Sequence, residues 1–172
     1  HHDPTSAGAN RPFPCAQVHP APDAESYLWI CALASYRIAV EALRKVVTDL
    51  HSRGYAAANC AILLASGRSL PALSNILASH SLIHTAEGEF FRQAFWKAGQ
   101  QAETVVTGIR ERELDERAKA VFGPRATDVK REIAALGRSL GPPWTTDQKT
   151  ATLAALLALT GEALNSSITT AH

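Results

Sequence analysis

The chain has 172 residues, of which 46% are apolar and 19% charged, enough for one domain with a sizeable core and too few for two ordinary domains. Seventeen basic residues stand against 16 acidic ones, a formal charge of +1. No long run of one sign interrupts this balance, so neither a nucleic-acid nor a membrane-surface partner is expected.

Residues 1–22 contain Pro4, Pro12, Pro14, Pro20 and Pro22 among few aliphatics, which predicts an extended or disordered arm. A single globular domain is expected over 23–164, followed by a frayed tail, 165–172. From Asp23 the apolar residues Trp29, Leu33, Tyr36, Ala39, Val40, Leu43, Val46, Val47 and Leu50 recur at three/four spacing. They predict a long helix ending near Arg53-Gly54. The alternative is a short strand at Tyr27 to Leu33. The glycine-bounded run from Tyr55 to Ser66 reads as a buried strand, with a short helix as its alternative. A central helix is predicted from about Leu70 to Gly99, with Ser69 as its N-cap and Pro71 in its first turn. The β-branched stretch Glu103 to Ile109 reads as a second strand.

Strand, helix and strand in this order predict a parallel β-α-β crossover around the central helix. Further helices follow: one from Arg110 to Gly123-Pro124, one closing at Gly137, and one over Thr146 to Leu159 with a Thr145/Gln148 capping box. The fold class expected is therefore helix-rich α/β, with an all-α bundle as the alternative, because two strands alone make a poor sheet. A second chain completing that sheet would make the protein a homo-oligomer.

Chemistry concentrates on the central helix. At about 100° per residue, His80, His84 and Glu87 project within about 60° of one another, on the stripe shared with Ile83 and Phe91. Burying them requires hydrogen bonds, ion pairing or a metal. Two imidazoles and a carboxylate suit one divalent zinc, iron or manganese ion, with His51, Asp49, Glu103, Glu111 or Glu113 as further ligands. Without metal, His80 or His84 is the candidate general base and Glu87 the carboxylate that orients it. Gly88 inside this helix signals either close approach of a ligand, a backbone or a neighbouring helix, or a kink that lets Phe90 and Phe91 repack.

A separate anion-binding site is expected at Arg68 and Ser69, between a predicted strand and a helix N-terminus. Cys15, Cys31 and Cys60 show no metal-binding spacing and read as buried or free thiols of a reducing compartment. The first residue is not methionine, and His1 and His2 read as a tag remnant. A cytoplasmic location is the default expectation. Two functional readings follow. One is a protein that binds or hydrolyses a small molecule at His80, His84 and Glu87. The other is a non-catalytic interaction domain in which these residues form a buried structural network.

Overall fold

The structure is a computed structural model that describes residues 11–55, 59–65, 67, 69–102 and 104–160. It is helix-rich, with a two-stranded parallel sheet. The described chain falls into two compact units: residues up to 55 with 67–102, and residues 59–65 with 104–160.

The first unit is helical. Helix α1 (Pro12–Ala16) lies within the stretch read as an extended arm, and this corrects that reading for residues 12–16. Pro12 suits a first turn, where its missing N–H would have no partner anyway. Phe13 makes the short helix worth ordering. It is 7% exposed, clusters with Ile76, Ile83 and Ala86, and meets Phe90 edge-on at 5.9 Å between ring centroids. Gln17 Nε2 donates to the carbonyl of Leu77 at 2.6 Å, fastening the next turn. Residues 1–10 and the tail lie outside the described residues.

Helix α2 (Ala21–Ser52) is the predicted long helix, unbroken through Tyr27 to Leu33, so the strand alternative there is set aside. It ends at Arg53, with Gly54 at φ +87°. Helix α3 (Leu73–Leu77) and helix α4 (His80–Gln101) replace the single central helix. The break is at Ala78-Ser79. Ser79 takes an extended conformation and its hydroxyl accepts the Leu82 N–H at 3.5 Å, so Ser79 rather than Ser69 caps the long segment.

In the second unit, β1 (Asn59–Leu64) pairs in parallel with β2 (Val105–Arg110), Asn59 opposite Val105 and Leu64 opposite Arg110. Both strands match the predicted runs. The chain between them carries α3 and α4, which belong to the first unit. A 3-10 turn, Glu111–Glu113, leads into α5 (Leu114–Phe122), and a second, Gly123–Arg125, into α6 (Ala126–Leu140). Helix α6 runs three residues past the predicted stop because Gly137 serves packing rather than termination. A Cβ there would lie 2.5 Å from Cδ1 of Trp144, whose indole N–H donates to the Ile133 carbonyl at 3.0 Å. Helix α7 (Thr146–Leu159) starts at the predicted Thr145/Gln148 capping box. Ile109, Leu114, Ala118, Val129, Ile133, Leu153, Ala154 and Leu157 form this unit's core. The Asn59 side chain ties β1 to the Ala158 carbonyl at 3.1 Å. Among the described residues no helix is long and apolar enough to cross a membrane.

Candidate functional site

Helix α4 presents His80 and His84 to solvent, which corrects the premise that all three site residues lie on a buried face. The break at Ser79 puts His80 in the first helical position, and the core side of α4 is carried by Ile83, Ala86, Ala94 and Ala98. Only Glu87 is largely enclosed: its side chain is 13% exposed, against 58% for His84.

The three groups form a file rather than a ring. Nε2 of His84 lies 3.1 Å from Nε2 of His80, with the two rings edge-to-face at 4.5 Å between centroids. On the other edge of the His84 ring, Nδ1 lies 3.7 Å from Oε2 of Glu87. Oε1 of Glu87 is buried and has no hydrogen-bond partner among the described residues. A metal needs donors converging on one point at about 2 Å, whereas Glu87 and His80 occupy opposite edges of one imidazole. Among the described residues no group of three or more His, Cys, Asp or Glu side chains is arranged to hold a metal ion. The divalent-metal expectation at His80, His84 and Glu87 finds no support in this arrangement. Of the suggested further ligands, Asp49 is paired with Arg53 at 3.0 Å, and Glu113 with Arg110 and Arg117 at 3.1 and 3.0 Å. Glu103 lies outside the described residues.

Gly88 has a local explanation that the sequence reading did not reach. A Cβ at this position would sit 3.1 Å from Nη2 and 3.3 Å from Nη1 of Arg92, so the missing side chain lets the guanidinium lie flat on the helix. Helix α4 continues through Gly88, so no break in the helix accounts for it. Arg92 is held there by Glu89, at 3.3 Å between Nη1 and Oε2. The signal for Arg92 was its position one helical turn after a glycine.

Of the two residues of the expected anion site, Ser69 lies among the described residues. Ser69 is exposed and non-helical, the following helix starts only at Leu73 and has five residues, and Arg68 lies outside the described residues. Open depressions among the described residues lie elsewhere. A groove of about 790 Å³ follows α2 past Tyr36, Arg37, Val40 and Arg44. A crevice of about 370 Å³ lies at the carboxyl ends of the strands, beside Leu64, Arg110 and Arg112. Comparison with family models, curated proteins and solved structures finds no match to this chain.

Proposed function

We propose that this protein performs acid–base chemistry on a small molecule, with His84 as the general base. Support comes from one observation, the file Glu87–His84–His80, in which a largely buried carboxylate faces one nitrogen of an exposed imidazole and leaves the other directed outward. A carboxylate at Nδ1 favours the tautomer carrying its proton there, so the lone pair of His84 resides on Nε2. In the resting arrangement Nε2 accepts the Nε2–H of His80. During hydrolysis a water molecule takes that place. Its proton passes to His84 Nε2, its oxygen bonds to the electrophilic carbon or phosphorus, and the His84 imidazolium then gives that proton to the leaving oxygen as its bond breaks, which restores the neutral base. Glu87 is a positioning residue, acting through His84.

The test is hydrolysis of p-nitrophenyl acetate and p-nitrophenyl phosphate by the full chain. His84→Ala should lower the rate on at least one by about 100-fold or more, and Glu87→Gln by about 10-fold, typical of losing a positioned base or its orienter. His51→Ala, at an exposed histidine on α2, should change neither. Equal rates in the His84 and His51 variants would overturn the reading.

A second reading rests on α2. Trp29, Leu33, Tyr36, Val40, Leu43, Val47 and Leu50 alternate four/three spacing without interruption, and Trp29 and Leu33 are 63% and 38% exposed. Such a seam fits pairing with a second copy of the chain, with Val40 and Val47 alternating with Leu43 and Leu50 as in two-stranded coils. Sedimentation at rising concentration tests it: a dimer that Val40→Glu makes monomeric supports it, and a monomer throughout overturns it.

A further inference from the structure

The groove along α2 is not used by the His84 file. It lies within the first unit, where Gln101, the last residue of α4, meets the C-terminal half of α2. Helix α4 runs unbroken from His84 to Gln101, about 25 Å at 1.5 Å per residue, so one small ligand cannot occupy both places. The two acids of the groove are already matched: Glu41 pairs with Lys45 at 2.9 Å and Asp49 with Arg53 at 3.0 Å. Arg37 and Arg44 have no ion-pair or hydrogen-bond partner among the described residues, and neither do the Tyr36 and Thr48 hydroxyls or the Gln101 amide. What the groove leaves unsatisfied is therefore two cations and three neutral groups that can donate. Seven residues bring a helix back to within about 20° of the same face, so Arg37 and Arg44 stand in one row about 10 Å apart. Val40 and Tyr36 are half-buried and give the groove an apolar side, while Glu41 at the same level is held by Lys45.

We infer that this groove is a binding site for an elongated small molecule that carries an anionic group at each end of an apolar chain. Its volume, about 790 Å³, falls within the range of small-molecule sites, about 300 to 1,000 Å³. Each acid, carboxylate or phosphate, takes one guanidinium, whose parallel N–H groups match two of its oxygens. The Tyr36 hydroxyl beside Arg37 and the Thr48 hydroxyl one turn beyond Arg44 add a donor at either end. The chain between the acids lies along Val40. Spacing carries the selectivity, because a shorter dianion or a monoanion reaches only one of the two cations. Both arginines are exposed, so each contact is modest and weakens as salt is added.

The test is titration of the full chain with decanedioate and with octanediol bisphosphate, followed by the arginine Nε–H signals in ¹H–¹⁵N spectra, which Arg37→Ala and Arg44→Ala assign. Both signals should move along one saturation curve, and the tighter dianion shows whether the acids are carboxylates or phosphates. Pentanedioate, too short to reach both cations, and decanoate, with one acid, should bind about 5- to 10-fold more weakly than the better dianion, as should that dianion to either single variant. Arg138→Ala, at an exposed cation of the second unit, should leave the affinity unchanged. Binding of neither dianion would overturn the assignment, as would a one-acid decanoate or octyl phosphate that matches its two-acid counterpart. Undiminished binding to the Arg37→Ala/Arg44→Ala double variant would do the same. Sedimentation of the ligand-free chain supplies the last outcome: Arg37 and Arg44 signals that move as the concentrated protein becomes a dimer would give the groove to a second copy and overturn the ligand site.

Discussion

At the scale of single residues, partners decide what each charged group does. Glu113, one of the residues offered as a further metal ligand, instead accepts hydrogen bonds from both Arg110 and Arg117. These hold its carboxyl below the ordinary glutamate value, Arg110 contributing most. A lowered folded value means the stabilisation is complete above about pH 4.5, the ordinary value, and is lost as pH falls through the folded value. The side chain is 26% exposed, so solvent screens the pair and the effect is about 0.5 to 1 kcal/mol. Urea titrations should show Glu113→Gln lowering the midpoint at pH 7, with the gap to the unaltered chain narrowing as the pH falls below about 4.5. A gap that stays constant as the pH is lowered would refute this. Gly88 gives a second residue-scale prediction. Gly88→Ala puts a methyl 3.1 Å from Nη2 of Arg92, a contact the flexible guanidinium relieves by a shift of a few tenths of an ångström. The exchange of glycine for alanine inside helix α4 should therefore raise the urea midpoint, a stabilisation of up to about 1 kcal/mol; a lowered midpoint would contradict this.

At the scale of elements, most of the framework was legible because apolar spacing and caps are local. The period of α2, the glycine-bounded apolar run of β1, the β-branched run of β2 and the Thr145/Gln148 box each carry their own signal. Three features were not legible, for physical reasons. The turn at Ala78-Ser79 interrupts a hydrophobic pattern that continues on both sides, so periodicity alone could not place it. The helix at Pro12–Ala16 is too short to have a period, and forms around Phe13 through tertiary contacts. Gly137 resembles a stop until Trp144, seven residues later, is seen to occupy its surface. The site was half legible: helical spacing brought His80, His84 and Glu87 together, but not which edge of each ring faces which partner. Two substitutions probe these elements. Ser79→Ala should cost about 1 kcal/mol, the usual loss of an N-cap, and lower the melting temperature by a few degrees while loosening His80. Gly137→Ala should cost about 1 to 3 kcal/mol by driving a methyl into the indole, with Trp144 fluorescence shifting as it is displaced. An unchanged spectrum and melting point would contradict that packing.

At the scale of the whole molecule, two small cores share the chain, one centred on Phe13, Ile76, Ile83 and Ala86, the other on Ile109, Ile133 and Leu157. The first backs the outward-facing histidines. Ile83, 2% exposed, lies immediately before His84, so the core and the site are placed by the same turn of helix. Ile83→Ala should cost about 2 to 5 kcal/mol in the urea unfolding of the intact chain. The account turns on the protonation pattern of that turn, and long-range ¹H–¹⁵N spectra of the imidazoles in the full chain read it directly, with His84→Ala supplying the assignment. Near neutral pH the His84 ring should carry its proton on Nδ1, toward Glu87, and Glu87→Gln should abolish that preference. His84 in the Nε2–H form, unaffected by Glu87→Gln, would contradict the proposed acid–base site.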